Sequence, residues 1–208
     1  MSIGSSERYR LSPAPDGLSL FQDLLNTVGR RGQSDLLNET DTGRAWFEQA
    51  TRAWALHNPD YLGAVPQFKP ADLAEIRTLR DTLRVALLHR DDETWIDQWQ
   101  LDGGLRFQMD GTGRVGIQPA ATKSSRLWMI ETISLEMFKS QLVGTFPRFK
   151  LCANQWCLMA FYDRSKNSSG VWHDVRTCGN EHNLRQSRAR RAAARRDQSM
   201  ELDDSASA

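Results

Sequence analysis

The chain has 208 residues, of which 39% are hydrophobic and 25% charged, and its formal net charge is +1. This length and composition allow one sizeable buried core and a small second module. No window approaches the length of a membrane span, and no N-terminal run joins basic residues to a long apolar stretch. We therefore expect a soluble, cytoplasmic protein without a membrane partner.

The small net charge hides a strong asymmetry along the chain. Residues 148–196 carry 11 Lys/Arg against 3 Asp/Glu, a net charge of +8, whereas residues 1–147 carry −3 and the last twelve residues carry −4. A basic C-terminal module on a mildly acidic body indicates an anionic partner for that module alone. We expect the acidic end, residues 198–208, to be a disordered tail.

The N-terminal part of the chain predicts two helices after a loose start. Residues 1–16 are polar and contain two prolines, so we expect them to be flexible. Helical spacing of apolar residues then predicts one helix within 17–29 and another, capped by Thr40 or Thr42, that ends near Asn58. The apolar residues that carry these two patterns are Leu20, Phe21, Leu24 and Leu25, followed by Trp46, Phe47, Ala50 and Trp54.

Two more helices and a hairpin are predicted before a boundary at Pro147. A helix over 70–89 begins at a proline, which suits a first helical turn. The alternating pattern over 105–117, with a glycine-rich turn in its centre, is typical of a β-hairpin, and a further strand is plausible around 96–101. A long apolar helix follows over 124–144, opened by one of two adjacent serines. Three arginines of the first of these helices line its flank: Arg77, Arg80 and Arg84.

These elements define an α+β, predominantly helical N-terminal domain over 17–146 with a small antiparallel β-hairpin or sheet. No nucleophile lies beside a histidine, and no glycine-rich phosphate loop follows a strand. We therefore expect the protein not to be an enzyme. If this domain binds a small-molecule effector, the interface between its helices and the hairpin is where we expect the pocket.

The cysteines predict a metal site. All three lie within the 27 residues from Cys152 to Cys178. Cys152 and Cys157 are separated by four residues, and His173 and Cys178 repeat that spacing after a loop. Two such knuckles can each offer two soft ligands to one tetrahedral Zn²⁺, and four protein ligands leave no position open for catalysis. The sequence predicts one structural zinc ion bound by these four residues.

His182 is the alternative fourth ligand, because Cys178 and His182 are also spaced as in zinc fingers. The symmetry of the two knuckles favours His173. With either histidine, metal binding would supply folding energy to a segment too short to bury its own core. We expect a treble-clef-like or knuckle-type zinc finger over residues 147–197 that ends in a basic helix.

The basic helix is predicted directly after the last metal ligand. Gly179 would allow a tight exit from the knuckle, and Asn180 would cap a helix over 181–196. Alanines between the arginines keep the helix slim enough to enter a groove of nucleic acid. The candidate contacts to nucleic acid are Arg185, Arg188, Arg190, Arg191, Arg195 and Arg196.

These residues resemble the CGNR zinc finger proteins, in which an N-terminal ABATE domain precedes a C-terminal zinc finger. In the finger the resemblance rests on the cysteine pair, Tyr162-Asp163-Arg164-Ser165, Trp172-His173 and Cys178-Gly179-Asn180. In the N-terminal region it rests on Gly17 to Thr27, which ends in Asn-Thr, and on the Asp-Leu-Leu-Asn of residues 35–38.

The resemblance implies a bacterial transcription regulator, of a kind often related to stress, whose ABATE domain senses a signal or dimerises. The chain departs from the family at two places. His173 stands where the family has its third cysteine, a substitution that zinc tolerates. After Cys-Gly-Asn the family usually continues with basic residues, whereas this chain has Glu181, His182 and Asn183. The expected contacts therefore begin at Arg185.

The leading functional hypothesis is a regulator that binds double-stranded DNA through the arginine helix, as a homodimer on paired half-sites. RNA is the alternative nucleic acid, because zinc knuckles also grip RNA and aromatic side chains stack on unpaired bases. The aromatic candidates for stacking are Trp156, Phe161, Tyr162 and Trp172. A third hypothesis is a protein-interaction module that binds an acidic surface of the transcription machinery.

Overall fold

The computed structural model describes residues 4–30, 32–61, 63–90, 92, 102–121 and 123–192. Their elements, in chain order, are α1 (Leu18–Leu25), α2 (Thr40–His57), α3 (Leu73–His89), β1 (Leu105–Met109), β2 (Val115–Pro119), α4 (Ser125–Leu142), β3 (Phe149–Leu151) and β4 (Ala160–Tyr162). A final helical stretch, α5, covers 180–192 of the described chain. The predicted strand at 96–101 and the predicted tail at 198–208 lie outside these ranges.

The N-terminal region is helical, and α1 lies at its centre. This short helix packs against α2, α3 and α4. Its side chains Phe21, Leu24 and Leu25 are completely buried, as their helical spacing predicts. The aromatic residues predicted for the core lie there too, with the rings of Trp54 and Trp128 in an edge-to-face contact at 5.2 Å between centroids. No helix among the described residues is both long and apolar enough to span a membrane.

The helix caps are partly as predicted. Ser124 caps α4, because its hydroxyl accepts a hydrogen bond from the Leu127 amide at 3.2 Å. The prediction of a threonine cap on α2 is wrong. The residue before this helix is Glu39, which makes no side-chain cap. The Thr42 hydroxyl instead donates to the carbonyl of Leu36 at 2.7 Å, so it is used as a donor to the preceding loop.

Strands β1 and β2 form the predicted antiparallel hairpin, with Phe107 opposite Ile117. The buried carboxylate of Glu131 on α4 holds the base of this hairpin, since it accepts from the Gly104 amide and from the Ala121 amide, both at 2.7 Å. The apolar face of the hairpin is turned to solvent, and Phe107 is 66% exposed. The hairpin is therefore fixed at its base and does not bury its alternating apolar residues.

Residues 4–16, in the segment predicted to be a flexible start, make several contacts with the rest of the chain. The amides of Ser5 and Ser6 donate to the carboxylate of Asp23, and the side chains of Leu11 and Ala14 are buried. Arg8 donates to the three successive carbonyls of residues 26–28, after the end of α1. Arg8 thus satisfies backbone carbonyls of the loop that follows α1.

The boundary predicted at Pro147 does not separate two cores. Phe149 of β3 stacks on Phe21 of α1, with ring centroids 4.6 Å apart. The side chain of Asn26 pairs with the backbone of Ala160 in β4, donating to its carbonyl and accepting from its amide, both at 2.9 Å. The β3–β4 hairpin is thus built into the apolar core of the helical region.

Candidate metal centre

The first two ligands come from the turn between β3 and β4. Cys152 follows β3 directly, and its amide donates to the Met159 carbonyl at 2.9 Å. Between them the chain reverses: the Cys157 amide donates to the Asn154 carbonyl at 2.7 Å, and Leu158 takes a left-handed backbone conformation with φ of 52°. The hairpin therefore brings both thiols to the same end of the two strands.

The third ligand is positioned by a loop that Asp163 organises. Its buried carboxylate accepts from the Lys150 ammonium group at 2.7 Å, the Ser165 amide at 2.9 Å and the Gly170 amide at 2.7 Å. Burial alone would raise the pKa of Asp163, but these hydrogen bonds outweigh it and hold the pKa well below its usual range. The loop closes tightly enough to return the chain to His173, beside the first knuckle.

The fourth ligand, Cys178, lies in a π-helical turn, Val175–Gly179, that runs directly into α5. The carboxylate of Asp174 caps this turn by accepting from the Arg176 amide at 2.8 Å. The predicted exit at Gly179 and the predicted cap at Asn180 are therefore wrong: Asn180 has helical dihedral angles, with φ of −62°. The helix begins before the last ligand, so the metal site includes its first turn.

The four side chains converge on one point. One donor atom from each of Cys152, Cys157, His173 and Cys178 lies within 4.8 Å of every other. Nδ1 of His173 is 3.3 Å from the sulfur of Cys157 and 3.6 Å from that of Cys178. Tetrahedral Zn²⁺ with ordinary bond lengths would place sulfur and nitrogen about 3.6 Å apart. The cluster is thus positioned to bind one metal ion, and its donor set fits a single structural Zn²⁺.

His182 is not part of this cluster. Its ring packs on that of Trp172, with centroids 4.8 Å apart, and its Nε2 lies 2.8 Å from the side-chain nitrogen of Gln186. Of the two histidines left open by the sequence, the structure therefore selects His173.

The three thiols are buried, and the ionisation of Cys152 depends on that of Cys157. All three cysteine side chains are at most 1% exposed, in a small apolar cluster with Leu11, Met159 and Phe161. The Cys157 thiol donates to the sulfur of Cys152, which lowers the pKa of Cys152 to about 4 and raises the pKa of Cys157. Burial penalises each further thiolate, and a divalent cation among the three sulfurs offsets that penalty. The environment therefore suits a metal better than three free thiols.

Residues 148–191 match the family model of the CGNR zinc finger. This segment begins just before β3, ends within α5 and contains all four ligands. A search of curated proteins found no match to the chain. The C-terminal part of the chain is thus a zinc finger domain of the CGNR type.

The helix after the metal site is braced against the first knuckle. Glu181 accepts from the side-chain amide of Asn154 at 2.9 Å. The guanidinium group of Arg185 lies over the ring of Trp156, 5.4 Å from its centroid, and 3.4 Å from the Asn154 oxygen. Glu181 therefore has a structural partner in the first knuckle. Arg185 also serves to anchor the helix.

The other candidate arginines fall into two groups. Arg188, Arg190 and Arg191 lie on the described part of α5 and are exposed. Arg195 and Arg196 lie outside the described residues. Arg185 is exposed as well, and Arg188 follows it after three residues.

Sequence reasoning missed a buried link between the helical region and the finger. Arg84 of α3, expected on a helix flank, is buried and donates to the Leu25 carbonyl and to the Leu158 carbonyl, both at 2.9 Å. Burial, together with the nearby charges of Arg30 and Arg80, lowers its pKa to about 10. Leu158 follows the ligand Cys157, so this arginine ties α1 and α3 to the knuckle. A helical spacing pattern carries no signal for such an acceptor 74 residues away.

Proposed function

We propose that the protein is a bacterial transcription regulator that binds double-stranded DNA through α5. The observation that carries the proposal is that α5 continues from the turn holding the last metal ligand and presents exposed arginines. A helix fixed at its first turn by a metal site has a defined direction, which a free basic tail lacks. The arrangement of knuckle, loop and ligand-bearing helix also supports a finger of the treble-clef type.

The arginine spacing supports insertion into the major groove. Arg188 and Arg191 are three residues apart and share one side of the helix, whereas Arg190 lies on another side. Arginine contacts phosphates and, in a bidentate manner, the O6 and N7 atoms of guanine. We propose that Arg188 and Arg191 make such contacts and that Arg190 widens the positive surface. Arg195 and Arg196, the other two arginines predicted from the sequence to take part, lie outside the described residues.

Fluorescence anisotropy tests this proposal directly. Zinc-loaded protein is titrated into a labelled pool of genomic duplex fragments at several salt concentrations. If about four to six phosphates are neutralised, the log–log salt slope of the affinity should be roughly −4 to −5. Arg188→Ala and Arg191→Ala should weaken binding, whereas the matched control Arg52→Ala, an exposed arginine on α2, should not. Equal affinity of both α5 variants and wild type would show that α5 is not the contact surface.

DNA is favoured over RNA because the stacking candidates are mostly engaged in packing. Phe161 is buried in the small apolar cluster around the cysteines, and Trp172 packs against that cluster. Tyr162 packs against the core of the helical region. Trp156 is 62% exposed, but the Arg185 guanidinium lies over its ring. Competition between duplex DNA and single-stranded RNA separates the two readings, and preferential displacement by RNA would overturn this choice.

We propose further that residues 17–146 form the ABATE-like sensing part implied by the family resemblance. A cavity of about 340 Å³ lies between the end of α2, the β1–β2 hairpin and α4, with Trp54, Tyr61, Ile117 and Leu135 in its wall. Its volume falls within the range of small-molecule sites, about 300–1,000 Å³, which supports this proposal. Small carboxylates that raise the melting temperature of wild type but not of Ile117→Trp would bind there.

A further inference from the structure

A second basic surface lies beside the metal centre, outside α5. A depression of about 560 Å³ is lined by Arg10 from the N-terminal segment and by His173, Asp174 and Arg176 from the finger. The Asp174 carboxylate in it accepts from the Arg176 amide. Arg10 also lines an adjoining depression together with Arg164 and Trp172. Arg10, Arg164 and Arg176 are all exposed. The N-terminal segment and the finger therefore present arginines to solvent around the metal ligand His173.

The backbone at Arg10 is unusual for an arginine. Its φ is 57°, in the left-handed region that favours glycine. The residues on both sides fix this conformation. The Tyr9 hydroxyl donates to the Val28 carbonyl at 2.7 Å, and Leu11 is buried in the small apolar cluster around the cysteines. Arg10 ends the helical turn of residues 7–9, and its amide donates to the Glu7 carbonyl at 2.8 Å. Its side chain therefore starts from a fixed point beside the finger.

The position of this surface relative to α5 suits a duplex. Trp172, which lines the depression shared with Arg10, packs on His182 in the first turn of α5. His182, Gln186 and Arg190 follow at intervals of four and form one row along the helix, on a different side from Arg188 and Arg191. A helix in the major groove has a phosphate backbone on each side. The Trp172 side of α5 therefore faces one of these backbones if the helix is inserted.

We propose that Arg10 and Arg176 form a second contact surface of the DNA-binding protein, which grips backbone phosphates beside the groove that α5 enters. The N-terminal segment then takes part in DNA binding, although it precedes the finger by more than a hundred residues. Arg164 positions this segment, since it donates to the Pro13 carbonyl at 2.8 Å. This inference rests on the proposed function, because it requires a duplex bound at the finger.

The test uses the full-length, zinc-loaded protein in the same anisotropy titration. Arg10→Gly and Arg176→Ala should each weaken duplex binding about five- to tenfold near 0.1 M salt and make the salt slope less negative by about 0.9, the loss of one phosphate contact. Arg10→Lys should keep the slope of the wild type. The control Arg52→Ala should change neither quantity.

Arg10→Gly also separates a binding role from a structural one. Glycine accepts the left-handed conformation without strain, so its melting temperature should equal or exceed that of wild type while its affinity falls. Wild-type slopes in Arg10→Gly and Arg176→Ala, with binding lost in the α5 variants, would overturn this inference and leave the proposed function standing. Binding lost in these two variants but kept in Arg188→Ala and Arg191→Ala would refute the role of α5, and with it the placement of this surface beside a groove that α5 enters. Absence of salt-dependent duplex binding in wild type would overturn both.

Discussion

Replacing Asn26 with alanine should destabilise the helical region and the zinc finger together. The Asn26 side chain is completely buried, and it pairs with both backbone groups of Ala160, as a neighbouring strand would. Alanine leaves the Ala160 amide without this acceptor, while the carbonyl keeps a longer hydrogen bond from Gln22 at 3.3 Å. An orphaned buried donor costs about 1–3 kcal/mol, and the lost hydrogen bonds raise the total to about 2–4 kcal/mol.

This loss can be measured by urea denaturation of the zinc-loaded protein, followed by tryptophan fluorescence, and by thermal unfolding. For a chain of this size, about 2–4 kcal/mol corresponds to a decrease of roughly 4–16 °C in melting temperature. The matched control is Asn38→Ala, an exposed asparagine that accepts from Arg77, and it should change stability by less than about 0.5 kcal/mol.

Zinc affinity, measured by competition with a chelator, supplies the second readout. If the finger folds onto the helical region as one unit, weaker docking must also weaken zinc binding, because the metal binds the folded finger. Asn26→Ala should therefore lower zinc affinity, and Asn38→Ala should not. Stability and zinc affinity equal to those of the control would refute the reasoning that the Asn26–Ala160 pair joins the two parts.

Three further predictions follow from single contacts. Glu131→Ala should destabilise the protein by about 2–4 kcal/mol and speed hydrogen exchange in the β1–β2 hairpin, since two amides lose a charged acceptor; unchanged exchange would contradict this. The folded-state pKa of Asp163 is depressed, so the ionised carboxylate stabilises the folded protein fully above about pH 4 and less as the pH falls further. Asp163→Asn should therefore be less stable than wild type at pH 7, and its stability should decline less steeply on the acid side. Cys157→Ser should abolish stoichiometric zinc binding and reduce the helical circular dichroism of the finger, whereas a serine in place of His182 should not.

The local elements of the fold were predictable because their signals are local. Period-3.6 patterns located α1, α3 and α4 to within a few residues, and the proline before α3 and the serine before α4 marked their starts. What could not be predicted are pairings between distant segments. The Asn-Thr at the end of α1 was visible as a signature, but its partners are a strand backbone at Ala160 and a buried guanidinium, that of Arg80, 3.1 Å from the Thr27 hydroxyl.

The metal ligands were predictable from four residue types at two equal spacings, and the convergence of their donor atoms agrees with that prediction. The start of α5 could not be predicted in the same way, because Gly179 and Asn180 resemble a helix start but lie inside the helical stretch. A glycine followed by asparagine is typical of a turn and a cap. Here the Asp174 carboxylate already caps the chain six residues earlier, and the metal site holds the intervening π-helical turn in place.

Several contacts between the rest of the chain and the finger lie close to its metal knuckle. Asn26 fixes β4, Arg84 reaches the carbonyl beside Cys157, and Leu11 closes the apolar cluster around the thiols. Asn26 follows α1 directly and Arg84 lies on α3, whereas Leu11 belongs to the N-terminal segment. A shift of α1 relative to α3 must therefore move the knuckle or break one of these hydrogen bonds, and α5 is braced on the same knuckle through Asn154 and Arg185. Because α1 also packs on α4, which forms part of the cavity wall, a continuous set of packed contacts joins that cavity to α5.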